Sequence, residues 1–229
     1  MKALLLTFFC FPVSTWCFPQ AGFLDESFGN NGKVHTDVLA DNPSAALQSD
    51  GKILLAGHSA IYHGMVIRYL SDGNVDSAFG KNGIVSVTAL TSVGDIKVLQ
   101  DNYILIAGAV NPNVAVAKLK PNGDIDSSFG KNGVAIVDLG KPALCYAMQV
   151  QSDGKILLAG SIQVDEFFGN NMLLARVNSD GSRDKKFGDN GTVLNKSGYT
   201  FTCLALQQDR KIVAVVISTL KEQERTIGF

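Results

Sequence analysis

One nine-residue motif occurs four times along this chain, and its repetition constrains the fold more than any other feature of the sequence. Each copy reads x-Asp-x-x-Phe-Gly-x-Asn-Gly, and the phenylalanines stand 51, 50 and 58 positions apart. Such a period is typical of proteins built from stacked copies of one small unit. The copies are Leu24–Gly32, Val75–Gly83, Ile125–Gly133 and Arg183–Gly191.

Two further blocks repeat in the same phase. The first reads QSDGKILLAG at Gln48–Gly57 and again, unchanged, at Gln151–Gly160, with weaker copies at Gln100–Gly108 and Gln207–Val215. The second is an apolar run that contains one basic residue and ends in Asp-Gly or Asn-Gly. Its copies are Val66–Gly73, Val116–Gly123 and Leu174–Gly181.

Short apolar runs between turn residues predict four strands per unit. In the first unit these are residues 34–36, 45–48, 53–56 and 65–70, and Asp-Gly between the second and third favours a tight hairpin. Four antiparallel strands in about 50 residues form one propeller blade. We therefore predict an all-β, β-propeller-like array of about four four-stranded antiparallel blades.

In these blocks the chain resembles the delta-60 repeat family of exported bacterial proteins. The resemblance extends from Leu24 to about Val216, over units at about 24–74, 75–124, 125–182 and 183–229. It implies a β-propeller without an assigned activity. Two departures stand out: Asp101-Asn102-Tyr103 replaces Asp-Gly-Lys in the second unit, and the fourth unit stops where its third block should begin.

Because the fourth unit is incomplete, we expect an incomplete or open propeller, with a closed four-bladed ring as the alternative. An open array leaves strand edges at its two ends, and such edges can pair with another copy of the chain. Self-association through open blade edges is thus a further expectation.

Residues 1–20 have the layout of a secretory signal peptide, with Lys2, an apolar run over residues 3–13 and small polar residues after it. The apolar run is too short to span a bilayer. We expect cleavage between Cys17 and Ala21, with the repeats filling residues 21–229. The sequence thus predicts an exported protein (periplasmic, cell-surface or extracellular) with no stable membrane span.

The charge balance argues against nucleic-acid binding. Lysine and arginine together number 20 and aspartate and glutamate 21, for a net charge of −1. Without a basic excess the chain has no broad positive field to attract phosphates.

Residues that repeat in register are predicted to be structural. One phenylalanine per unit should bury the seam between neighbouring blades, although a ring of ligand-stacking aromatics is the alternative. A basic residue lies eleven positions before each later phenylalanine and an aspartate lies three before it, which predicts a structural ion pair or a carboxylate that accepts turn amides. The residues are Phe28, Phe79, Phe129 and Phe187, and Arg68 with Asp76, Lys118 with Asp126 and Arg176 with Asp184.

Function is predicted to lie in the loops that differ between units, on the face opposite the Asp-Gly-Lys and Phe-Gly turns. One of these loops contains an insertion with two adjacent aromatic residues, for which a hydrophobic plug over the blade edge is the alternative. The candidate ligand-binding residues are His58, Tyr62, His63, Asp165, Glu166, Phe167 and Phe168.

From these features we predict an exported, non-enzymatic binding scaffold for an unknown protein or carbohydrate ligand. The alternative is a hydrolase or lyase that acts on glycans or other polymers through loop carboxylates Asp41, Asp95 and Asp165. No catalytic residue, cofactor or metal site is predicted. The chain lacks a nucleophile elbow and a phosphate loop, its three histidines are too few for a zinc site, and its Asp-rich turns lack the later glycine and glutamate of a calcium loop.

Two cysteines remain after the leader, and each lies 16 positions after the phenylalanine of its unit. Cys145 and Cys203 could therefore form a disulfide across a seam in an oxidising compartment. Counted from the hairpin aspartate their positions differ by two, however, so we favour two buried thiols.

Overall fold

The computed structural model describes residues 23–36, 39, 41–59, 63–163, 170–196 and 200–217. Within these residues all regular structure is β, and none of them forms a helix that is long and apolar enough to cross a membrane. The strands are β1 (Asp41–Leu47), β2 (Ile53–His58), β3 (Gly64–Tyr69), β4 (Ile84–Val87), β5 (Ser92–Val98), β6 (Ile104–Val110), β7 (Asn113–Leu119), β8 (Val134–Val137), β9 (Ala143–Val150), β10 (Ile156–Gln163), β11 (Asn170–Val177), β12 (Thr192–Asn195), β13 (Thr200–Leu206) and β14 (Ile212–Ile217).

The strands form three four-stranded antiparallel sheets and one two-stranded hairpin. Each sheet is a meander in which every strand pairs with the next, so β1–β4, β5–β8 and β9–β12 form the first, second and third sheets. The first strands β1, β5, β9 and β13 contact one another along the row of sheets, as the inner strands of propeller blades do. The predicted all-β array of repeated antiparallel units is confirmed, although the fourth unit shows only β13 and β14 among the described residues.

The array is open. Among the described residues no strand pairing joins the first sheet to the last hairpin. Leu24, which would approach the strand at Ile212 in a closed ring, is 58% exposed. The expectation of an open rather than a closed array is therefore confirmed.

The position of one strand in each unit differs from the sequence prediction. Residues 34–36 were expected to begin a blade, but they lie outside the named strands, and their counterparts β4, β8 and β12 are the last strands of their sheets. The reason is the Phe-Gly corner, which turns the chain back so that Ile84 in β4 pairs with Ile67 in β3. Each sheet therefore extends from one sequence unit into the next.

The core lies in the seams between sheets. Strand β6 is buried on both faces, and its alternating side chains divide between two clusters: Ile104 and Ile106 face the first sheet, whereas Leu105 and Ala107 face the third. This division follows from the two-residue period of a strand. The glycine-rich turns need no core of their own because the buried strands on either side hold them in place.

The repeated phenylalanines have two different environments. Phe79 and Phe129 are 0% and 2% exposed and lie against the next sheet, where a Cβ added at Gly123 would come within 3.0 Å of the Phe79 ring. Phe28 and Phe187 are only half-buried, which differs from the core position expected for all four. No sheet precedes Phe28 among the described residues, and the unit that follows Phe187 shows only the two-stranded hairpin there.

We expect Phe79→Ala and Phe129→Ala each to lower the free energy of unfolding by about 3–5 kcal/mol, because each removes a buried ring and leaves a cavity. Phe28→Ala is the matched control at an open end and should cost only about 1 kcal/mol. Urea denaturation of the three variants measures these losses. A small loss for Phe79→Ala, no larger than that for Phe28→Ala, would contradict a core role.

Candidate functional site

The meander places two kinds of turn on opposite faces of the array. One face, called the repeat face here, carries the turns after the first and third strands of each sheet, such as residues 48–52 and 70–83. The other, the variable face, carries the loops after the second and fourth strands. The Asp-Gly-Lys and Phe-Gly turns thus lie on the repeat face, and the loops that differ lie on the variable face.

On the repeat face a buried arginine joins two sheets. Arg68 Nε lies 2.9 Å from the Asp76 carboxylate, and both residues are 6% exposed. The guanidinium covers the Phe79 ring at 4.4 Å from the centroid, and Nη1 donates a 2.6 Å hydrogen bond to the Pro121 carbonyl of the next sheet. Arg68 therefore connects its own corner to the neighbouring turn.

The second sheet keeps this arrangement with different residues. Lys118 pairs with Asp126 at 3.1 Å and lies 4.5 Å from the ring centroid of Tyr103. Tyr103 replaces a lysine at the position of Lys52, which lies 3.8 Å from Asp76 in the first sheet. The departure at Asp101-Asn102-Tyr103 is thus accompanied by an aromatic contact with the basic residue.

In the three later Phe-Gly corners the carboxylates of Asp76, Asp126 and Asp184 are satisfied by protein partners. The Ser128 hydroxyl donates a 2.6 Å hydrogen bond to Asp126, and this bond, helped by Lys118, lowers the pKa of that carboxyl. In the third sheet Arg176 pairs with Asp184 at 2.9 Å. These groups stabilise seams and leave little free capacity for a ligand.

The variable face carries a cleft of about 350 Å³ between the second and third sheets. Strand ends from both sheets form its walls, because the beginnings of β5 and β9 and the ends of β6 and β10 meet there. The lining residues are Thr91, Ser92, Ala109, Asn111, Pro142, Ala143, Leu144, Ser161 and Gln163.

Hydrogen bonds hold the rim of the cleft in place. The Thr91 hydroxyl donates to the Ala109 carbonyl at 3.1 Å and accepts the Asn111 amide at 3.3 Å. The Ala143 amide donates to the Pro112 carbonyl at 2.7 Å, a bond that crosses from one sheet to the other. The two walls are therefore tied together at the rim.

The strand geometry beside this cleft explains why the Ala-Gly ending of the QSDGKILLAG block needs a glycine. Gly108 and Gly160 face the bulged first strands of their sheets, and a Cβ at either glycine would overlap the carbonyl oxygen of Ser92 or Leu144. Only glycine permits this close approach of the two strands. This close approach fixes the positions of the lining residues Ser92 and Leu144.

The chemistry of the cleft is polar but uncharged. None of its lining residues has an ionisable side chain; hydroxyl and amide groups alternate with small apolar ones. Ser161 is 2% exposed at the base, whereas Leu144 is 44% exposed on the wall. The cleft can thus offer hydrogen bonds and an apolar contact to an uncharged ligand.

The structure does not bring the predicted binding residues into this cleft. His58 and His63 flank the loop after β2 on the first sheet, where the Ser59 amide donates to the His63 carbonyl at 2.9 Å. They are on the variable face but outside the cleft lining. Tyr62, Asp165, Glu166, Phe167 and Phe168 lie outside the described residues.

Asp95, one of the predicted loop carboxylates, lies in strand β5 and joins three sheets. Its oxygens accept hydrogen bonds from Ser44 Oγ at 3.1 Å and from the Met148 amide at 2.9 Å, and Lys97 pairs with it at 2.9 Å. Asp95 therefore contacts the sheets before and after its own. The side chain of Asp41 and the whole of Asp165 lie outside the described residues.

No group of three or more His, Cys, Asp or Glu side chains within the described part of the chain could hold a metal ion. We take the uncharged cleft as the candidate site because strand ends from two sheets converge on it.

The two cysteines of the described residues, Cys145 and Cys203, are unpaired, and the burial of one of them differs from the sequence prediction. Cys145 is buried beneath the cleft wall, where burial raises the pKa of its thiol to about 12. Cys203 was also expected to be buried, but it is exposed. Its strand β13 belongs to the last hairpin, and no further described sheet covers it.

Three segments of the chain match the family model described as "Domain of unknown function (DUF5122) beta-propeller". The segments are residues 48–79, 99–129 and 151–187, and each ends at the phenylalanine of a Phe-Gly corner. No curated protein matches the chain. The chain is thus similar to a β-propeller repeat family over three of its units.

We expect iodoacetamide to modify Cys203 and to spare Cys145 in the folded protein at about pH 8, because only an accessible thiolate reacts. Peptide mass mapping after a timed reaction measures the two sites separately. Cys203→Ser is the control, since it should remove the modified peptide and leave Cys145 unmodified until urea is added. Equal labelling of both thiols in the native protein would contradict the burial of Cys145.

Proposed function

We propose that this protein is a non-enzymatic binding scaffold that holds an uncharged portion of a protein or carbohydrate ligand in the variable-face cleft. The observation that carries the proposal is the lining of the cleft, which combines hydroxyl and amide groups with an exposed leucine and contains no ionisable side chain. Neutral sugar rings and uncharged peptide segments match such a lining.

The division between the two faces supports this location. Charged residues of the repeat face engage one another, as Arg68 and Asp76 do, and those contacts stabilise the seams. The cleft instead presents polar groups at strand ends, supported by a rigid stack of sheets. Recognition sites commonly use such variable segments on a rigid scaffold.

No observation on the described residues favours the hydrolase or lyase alternative. A general acid or base needs a carboxyl group that can reach the substrate. Asp95 instead accepts bonds from Ser44 and the Met148 amide and pairs with Lys97. This set of contacts supports a structural role for Asp95.

We also propose that the chain is an exported member of the delta-60 repeat family. The three repeated blocks and the layout of residues 1–20 support this assignment. Self-association through the ends of the array is part of the same proposal, since Leu47 at one end and Val215 at the other are 69% and 45% exposed.

The cleft is tested by introducing a charge at its wall. Leu144→Glu should weaken the capture of neutral oligosaccharides or uncharged peptides on an immobilised panel by about tenfold, because a carboxylate on the wall must be desolvated when the ligand binds. Leu144 is 44% exposed, so the fold should tolerate the change.

Ile136→Glu is the matched control, because Ile136 is 46% exposed on β8 and lies outside the cleft lining. It should bind the panel like the wild-type protein. A panel without any bound neutral ligand, or equal binding by the Leu144→Glu variant, would contradict the proposal. Release of hydrolysed products from the panel would favour the enzymatic alternative.

A further inference from the structure

The N-terminal corner, residues 25–32, has the backbone of the later Phe-Gly corners. Gly29, Asn31 and Gly32 have φ angles of 58°, 51° and 80°, and the matching angles in the corner at 76–83 are 53°, 54° and 87°. These left-handed conformations give both corners the same tight path.

The N-terminal corner is also docked as the later ones are. The Gly29 amide donates a 2.7 Å hydrogen bond to the Asp72 carbonyl of the first sheet, just as the Gly80 amide donates to Asn122 of the second. The corner is therefore preorganised on the first sheet.

In a complete unit, four groups of the corner hold one basic residue of the preceding strand. The Arg68 amide donates to the Gly83 carbonyl at 3.0 Å, and the Arg68 carbonyl accepts the Asp76 amide at 2.9 Å. The Arg68 side chain then pairs with the Asp76 carboxylate and covers the Phe79 ring. The corner thus contacts both the backbone and the side chain of Arg68.

The same four contacts recur in the next two units. The backbone bonds measure 2.9–3.0 Å, and the ion pairs of Lys118 and Arg176 measure 3.1 and 2.9 Å. The corners therefore accommodate either arginine or lysine at the basic position. The surrounding groups are Gly133, Asp126 and Phe129 for Lys118, and Gly191, Asp184 and Phe187 for Arg176.

No basic side chain of the described part of the chain pairs with these four groups at the N-terminal corner. Among the described residues, the Asp25 amide and the Gly32 carbonyl have no hydrogen-bond partner, and the Asp25 carboxylate accepts bonds only from Ser27. The Phe28 ring is half-buried, whereas Phe79 is fully covered. A donor, an acceptor, a carboxylate and an aromatic face are all available at one place.

We propose that this corner is a receptor for a β-strand of another polypeptide that carries an arginine or lysine. Charge complementarity and the three occupied examples within the chain define the guest: its basic residue is flanked by apolar residues in an extended strand. A second copy cannot supply this strand from its described residues without losing a sheet, because its own Arg68, Lys118 and Arg176 are already held. The receptor lies apart from the variable-face cleft and does not depend on the function proposed there.

The test uses the full chain and a synthetic peptide with the sequence of Met65–Gly73, which is a guest strand of the first sheet. We expect saturable binding by fluorescence anisotropy. Binding should weaken roughly tenfold for the Asp25→Asn variant, since a charge-assisted bond at this site is lost. A peptide with Arg68→Gln should lose binding to the same extent against the unaltered protein.

Glu26→Gln is the matched control, because Glu26 is an exposed carboxylate next to Asp25 and is not one of the four groups of the corner. It should bind the peptide like the wild-type chain. Absence of saturable binding, or equal affinity of the Asp25→Asn and Glu26→Gln variants, would overturn the proposal. Binding that appears only after residues 218–229 are removed would assign the receptor to the protein's own C-terminal segment and would also overturn it.

Discussion

The contact on which the array depends is the one between a basic side chain, an aspartate and a phenylalanine beneath each seam. Arg68 shows its full form: an ion pair with Asp76, a stacked Phe79 ring and a hydrogen bond to Pro121 of the next sheet. Because the pair is buried, removal of one partner leaves an uncompensated charge away from water. The residues that repeat in the sequence therefore stabilise the contacts between neighbouring sheets rather than bind a ligand.

With the seams held from the repeat face, the opposite face is free to differ from unit to unit. The cleft between the second and third sheets reflects that freedom, since equivalent lining positions carry different residues: Ser92 corresponds to Leu144, and Ala109 to Ser161. The cleft still depends on the repeats, because Gly108 and Gly160 of the Ala-Gly endings let the first two strands of the second and third sheets approach closely. The N-terminal end of the array differs from the later seams: its corner contains Asp25 and Phe28, but no basic residue of the described part of the chain pairs with them.

Periodicity predicted the all-β class and the repeated antiparallel units, because turn residues and phenylalanines at fixed spacing leave strong signals. The open array was predicted from the incomplete fourth unit. The period alone could not show where a sheet begins, and β4 therefore belongs with β3 rather than with the following strands. The cleft residues were missed because single polar residues at strand ends converge only once the sheets are stacked. The exposure of Cys203 likewise depends on the absence of a covering sheet among the described residues, which no local pattern signals.

A double-mutant cycle between Arg68 and Asp76 tests the central role of the buried seam contact most directly. Arg68→Met and Asp76→Asn should each lower the free energy of unfolding by about 3–5 kcal/mol, because each leaves a partner buried and unpaired. The double variant should lose at least about 1 kcal/mol less than the two single losses added together. Additive losses in urea denaturation would show that the two groups do not stabilise the fold through each other and would contradict the account.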